Sequence, residues 1–82
     1  MSEASSDPVV ELDCRGQRCP RPILELARAF PSLPVGAVVA VAAEDPAART
    51  DVAAWCRMRQ QGYLGEDLAD DGTPRYLVRR LS

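Results

Sequence analysis

The chain contains no histidine and no lysine. The first absence excludes every mechanism that needs an imidazole within this chain: a Ser-His triad, a Cys-His dyad or a His-ligated metal. The second leaves all ten basic residues as arginine, the better partner for planar, bidentate contacts. Aromatics are few, with one Trp, two Tyr and one Phe, too few to build a stacking platform for single-stranded nucleic acid. The formal net charge is −2 and no block of like charge occurs, so direct nucleic-acid binding is not expected. No apolar stretch approaches the length of a membrane span, and no membrane association is expected. The first eight residues are polar and acidic, without the basic start and apolar run of a signal peptide. They are expected to be a disordered tail, and the chain is expected to be cytoplasmic, where thiols stay reduced.

Eighty-two residues, 46% of them hydrophobic and 27% charged, suffice for one domain over residues 9–82 with a small core. A deep enclosed pocket is not expected at this size. Function is therefore sought at the surface or at a helix end. Three cysteines form an odd set that cannot close into a disulfide framework. They also make no zinc site. Cys14 and Cys19 have C-x4-C spacing, and no second Cys pair or His completes a ligand set. No metal and no cofactor is implied. Asp45, Asp51, Asp70 and Asp71 read as caps and turn residues.

The pattern predicts the order β-α-β-α-β-β. Val9–Asp13 is a short strand, followed by a loop around Gly16. A first helix runs from Pro20 to Phe30, with Ile23, Leu26, Ala27 and Phe30 on one face and Arg21, Glu25 and Arg28 on the other. Pro31 and Pro34 end it, and Gly36 closes the turn. Ala37–Ala43 is an apolar, valine-rich run that reads as a central strand covered on both faces. Thr50 or Asp51 is the expected cap of a second helix that buries Val52, Trp55, Cys56 and the stem of Arg59 and stops at Gly62. Tyr63–Leu68 and Arg75–Leu81 form two strands around the turn Asp71-Gly72-Thr73-Pro74. Arg79-Arg80 reads as a solvated strand end. The fold class is α/β, an α+β two-layer sandwich with both helices on one side of a four-stranded mixed sheet.

The segment Arg15-Gly16-Gln17-Arg18-Cys19-Pro20-Arg21-Pro22 carries the chemistry. Pro20 reads as the first helical residue and Cys19 as its cap. Proline is tolerated there because the N–H it lacks would have had no partner, and Pro22 still falls in the first turn. The remaining free N–H groups and the positive end of the helix dipole would then face the Cys19 sulfur. Arg18 and Arg21 flank it. Such surroundings lower a thiol pKa and expose a thiolate near neutral pH. Ser, Thr, Asp or Asn would cap better, so a cysteine here points to chemistry rather than stability. Cys14 has two readings: a second thiol that forms a reversible disulfide with Cys19, or a small residue packed at the strand end. Cys56, on an apolar helix face beside Trp55, reads as core.

Leu12-Asp13-x-x-Gly16-x-x-Cys19-Pro20-x-Pro22 resembles the signature of the TusA/SirA/YedF family of small sulfur carriers. Gly36 ahead of the central strand resembles its PG-x-x-L pattern, and Asp45-Pro46 with Asp51-Val52 resembles its DP-x-x-x-x-D-I segment. Cys56 matches a cysteine of its second helix, and Tyr76-Leu77-Val78-Arg79-Arg80 resembles its closing strand. The resemblance covers about residues 9–81. It implies the same sandwich and a persulfide carried on Cys19, with Gly16, Arg18, Pro20, Arg21 and Pro22 in support. It implies a sulfur donor, either a cysteine desulfurase or a rhodanese-like protein. It also implies an acceptor protein in tRNA 2-thiolation, molybdenum-cofactor assembly or sulfur oxidation. A monomer is the expected state. Gln17 departs from the leucine common in the family, and the stretch after Gly62 lacks a histidine that some members carry. Two other function classes remain at this level: a thiol redox module using Cys19 with Cys14, and a non-catalytic regulatory adaptor.

Overall fold

The computed structural model describes residues 9–18 and 21–82. The element order is β1 (Val9–Asp13), α1 (Arg21–Ala29), a 3-10 turn (Phe30–Ser32), β2 (Val38–Ala42), α2 (Ala47–Arg59), β3 (Gly62–Leu68) and β4 (Pro74–Arg79). The strands form one mixed sheet in the order β1-β2-β4-β3. β1 runs parallel to β2, and both β2–β4 and β3–β4 are antiparallel. Two helices thus lie on one face of a four-stranded sheet, as the sequence pattern predicts. The tail over residues 1–8 lies outside the described residues, as do Cys19 and Pro20 and hence their expected places as cap and first helical residue.

The core lies between sheet and helices. α1 contributes Pro22, Leu26 and Phe30's side chain just beyond its end, with Ile23 and Ala27 half-buried against them. α2 contributes Ala48, Val52, Trp55 and Cys56. The sheet answers with Val39 and Val41 of β2 and Tyr76 and Val78 of β4. Each fully buried aliphatic side chain of this kind contributes roughly 1.5–3 kcal/mol by its removal from water. Phe30 meets Trp55 edge to face, with centroids 5.0 Å apart and planes at 76°. That is a preferred geometry for aromatic quadrupoles.

All five residues of β2 are buried, yet the helices cover only one of its faces. A different device closes the other face. Small residues, Ala40 and Ala42, point outward there, and register places Arg75 opposite Ala42 and Glu11 opposite Ala40. The Arg75 guanidinium spans β2 to reach Glu11 Oε2 at 2.7 Å, while its other nitrogen holds Asp67 Oδ2 at 2.8 Å. The long side chain shields the alanines beneath it and keeps its charge in water.

Several boundaries differ from the sequence expectation. α1 stops at Ala29 and tightens into the 3-10 turn, because Pro31 cannot continue an α ladder. α2 begins at Ala47, so Thr50 and Asp51 lie inside the helix and neither caps it. The cap is Asp45-Pro46: Asp45 Oδ1 accepts the Ala47 N–H at 2.9 Å, and Pro46 already has the helical φ of −61°. Gly62 is not the helix stop but the first residue of β3. Gln60 takes the left-handed conformation instead, at φ 59°. β4 ends at Arg79 rather than Leu81.

Arg79-Arg80 is not a solvated strand end, since both residues are half-buried. Arg80 Nη1 donates to the carbonyls of Phe30 and Pro31, each at 3.3 Å, and to that of Leu33. Its guanidinium also sits 5.7 Å from the Phe30 ring centroid. Carbonyls at a helix end have no partner within the helix, and a cation there satisfies them and opposes the dipole.

Candidate functional site

The loop that leads into α1 is shaped locally and then pinned from two sides. The Cys14 N–H extends the β1–β2 ladder by donating to the Ala42 carbonyl at 2.8 Å. The chain then turns: the Gln17 N–H donates to the Cys14 carbonyl at 3.2 Å, and Gly16 takes φ +80°. That φ belongs to the left-handed region, which a residue with a Cβ enters only with strain. Beyond the turn, the Arg21 N–H donates to the Arg18 carbonyl at 2.8 Å and α1 begins. The residues on either side of Cys19-Pro20 are therefore tied to each other.

Arg15 provides the first pin. Its Nε and Nη2 hold both carboxylate oxygens of Asp13, each at 2.8 Å, and Nη1 reaches Asp71 Oδ2 at 2.6 Å. Asp71 in turn accepts the Thr73 N–H at 2.9 Å, so the loop is fastened to the β3–β4 turn. The Arg15 hydrogen bonds hold the Asp13 carboxyl down at about 2. The Asp71 carboxyl is held at about 2 by the Thr73 hydrogen bonds and then by Arg15. Both carboxyls therefore stay ionised near neutral pH. Glu44 provides the second pin, where its Oε1 accepts the Gly16 N–H at 2.9 Å. It ties the loop to the connection between β2 and α2. Sequence reading singled out none of Arg15, Glu44 and Asp71 as a support. The Asp13–Arg15 spacing is a local signal, but nothing local marks Glu44, which is 28 residues from its partner.

Of the residues expected at the site, Gly16, Arg18, Arg21 and Pro22 fall together at the head of α1. Arg18 and Arg21 are exposed, whereas Pro22 is buried and anchors the helix start to the core. Cys14 is a free thiol at 1% exposure within the core cluster. Burial pushes its pKa up, and the charges of Glu25 and Asp13 push it further the same way. Cys56 is equally buried, and desolvation pushes its thiol up to about 11. Neither is a nucleophile near neutral pH. An open cleft of about 450 Å³ adjoins the loop, lined by Gly16, Gln17, Arg18, Glu44, Asp45 and Pro46. Among the described residues no group of His, Cys, Asp and Glu is arranged to hold a metal ion. No helix among them is long and apolar enough to cross a membrane.

Comparison with known proteins agrees with this fold. The SirA-like protein from Desulfitobacterium hafniense, known from a crystal structure, shares the fold with a TM-score of 0.75 at 20% sequence identity, over 89% of this chain and 99% of that chain. The family model for sulfurtransferase TusA matches residues 10–80, which include the loop, both helices and all but the first residue of the sheet. This protein therefore belongs to the sulfurtransferase TusA family, and its role is of the sulfur-carrier, sulfurtransferase type.

Proposed function

We propose that the protein accepts a sulfur atom on Cys19 as a persulfide and passes it to an acceptor protein. The observation that carries this reading is the arrangement around Cys19-Pro20. Two exposed arginines, Arg18 and Arg21, stand on either side at the head of α1, and a backbone hydrogen bond ties them together. Two guanidinium charges and a helix N-terminus favour a thiolate over a thiol, and they favour a persulfide anion for the same reason.

The transfer needs neither a base from this chain nor a cofactor. The Cys19 thiolate attacks the outer sulfur of a persulfide on the donor protein. A new S–S bond forms at Cys19, the donor's own S–S bond breaks, and the donor cysteine leaves as a thiolate. The moving sulfur keeps its oxidation state, so no oxidant or reductant is consumed. Delivery is the same displacement with the acceptor as nucleophile. The donor is a cysteine desulfurase or a rhodanese-like protein. A redox module pairing Cys14 with Cys19 finds less support, since the Cys14 thiol is buried and its pKa raised.

Intact-mass analysis tests the proposal after incubation with a cysteine desulfurase and cysteine. Cys14→Ser and Cys56→Ser are expected to gain sulfur that reduction removes, and Cys19→Ser is expected to gain none. Undiminished loading of Cys19→Ser would overturn the proposal.

A further inference from the structure

Gln17 has a polar side chain whose amide oxygen no other described residue uses. Its Oε1 is shut off from solvent and has no hydrogen-bond partner among the described residues. A buried acceptor without a donor destabilises the folded state, and native structures hold few of them. An apolar side chain in the same place would avoid that cost. The rest of the residue has access to the outside: Gln17 is only half-buried and lines the open cleft of about 450 Å³ together with Gly16, Arg18, Glu44, Asp45 and Pro46. Rotation about the side-chain torsions would bring the amide oxygen to the cleft that the residue lines. The cleft floor is held in place, because the Gly16 N–H is bound by Glu44 Oε1 at 2.9 Å and the Gln17 N–H by the Cys14 carbonyl at 3.2 Å.

Cys19 lies two positions beyond Gln17, so covalent geometry keeps their Cα atoms within about 7 Å. A protein that exchanges sulfur with Cys19 must bring its own chain within bonding distance of that sulfur, and so alongside this cleft. The cleft is open rather than enclosed, unlike a small-molecule pocket that surrounds most of its ligand. Its mouth is mixed in charge, with Arg18 facing Glu44 and Asp45, which suits a polypeptide better than a simple ion.

We infer that the cleft between the Gly16–Arg18 loop and Glu44-Asp45-Pro46 receives the segment of the sulfur-exchanging partner protein that carries its reactive cysteine, and that Gln17 Oε1 accepts a hydrogen bond from a backbone or side-chain N–H of that segment. Gln17 is thus a residue that selects the partner, not one that activates the thiol. The inference rests on Cys19 as the site of sulfur exchange.

The test compares wild type with Gln17→Leu, using two sulfur sources for Cys19: a cysteine desulfurase charged with radiolabelled cysteine, and inorganic polysulfide. Loss of one hydrogen bond in the transfer complex is expected to slow loading from the desulfurase about tenfold. Loading from polysulfide, which docks nothing, is expected to stay within about twofold of wild type. The melting temperature of Gln17→Leu is expected to equal or exceed that of wild type, because the variant removes an unsatisfied buried acceptor. An unchanged desulfurase rate overturns the inference. So does a parallel fall in both rates, which would place the effect on Cys19 itself, and so does a lowered melting temperature. Wild type that loads from polysulfide but from neither the desulfurase nor a persulfidated rhodanese overturns it too. Failure of the underlying reading has its own signature: wild type then takes no more sulfur than Cys19→Ser from any source, and both proposals fall.

Discussion

Cys56 offers a quantitative check on how the fold silences a thiol. Its side chain is 1% exposed on the inner face of α2, beside Trp55 and Val52, and desolvation pushes its pKa from 9.0 to about 11. At pH 7 a thiol of pKa 9.0 is about 1% thiolate, and one of pKa 11 about 0.01%. Alkylation of native Cys56 should therefore run at least about a hundredfold slower than in the unfolded chain, before steric shielding is counted. The assay uses the Cys19→Ser variant with iodoacetamide, followed by peptide mapping, in buffer and in urea. The same shift has a stability consequence. The folded state holds the proton more tightly than the unfolded state, so the contribution is complete below pH 9 and is lost as pH rises toward 11. Two pKa units correspond to roughly 3 kcal/mol, and Cys56→Ala should remove that part of the alkaline destabilisation. Native alkylation of Cys56 within tenfold of the unfolded rate at pH 7 would refute the reasoning.

Two further perturbations probe the loop and the helix end. Gly16→Ala is expected to lose about 1 kcal/mol in urea unfolding: φ is +80° and a Cβ there meets nothing within 4 Å, so the penalty is backbone strain alone. Gly16→Asn should lose less. Arg80→Ala is expected to cost about 2 kcal/mol and lower the melting temperature by roughly 8–16 °C, through loss of its hydrogen bonds to the Phe30, Pro31 and Leu33 carbonyls. A shift below roughly 2 °C would return Arg80 to the status of a solvated strand end.

Much of this protein is legible in local sequence because its elements are specified by short-range physics. β1 spans Val9–Asp13 as read, and the valine run becomes the buried central strand. The 3.6-residue spacing of Ile23, Leu26, Ala27 and Phe30 faces the core as periodicity requires. Cys14 and Cys56 fall in the core, and Asp71 organises its turn. The α2 start was legible too. Asp45-Pro46 is a side-chain acceptor followed by a residue fixed at helical φ, a stronger signal than Thr50 or Asp51.

Tertiary structure decided what happens between segments. Arg80 clasps carbonyls 47 to 50 residues away, Arg15 reaches Asp71 across 56 residues, and Glu44 holds Gly16 across 28. Arg75 spans a neighbouring strand to close the sheet's outer face. Long, flexible charged side chains have no periodicity that names their partners, because each pairing is fixed only after strand order and register bring the two groups together. The sequence by itself determined the order of the elements and the faces they bury. The packed fold determined which arginines support structure, which are exposed beside the loop, and that the Gln17 amide oxygen has no partner among the described residues.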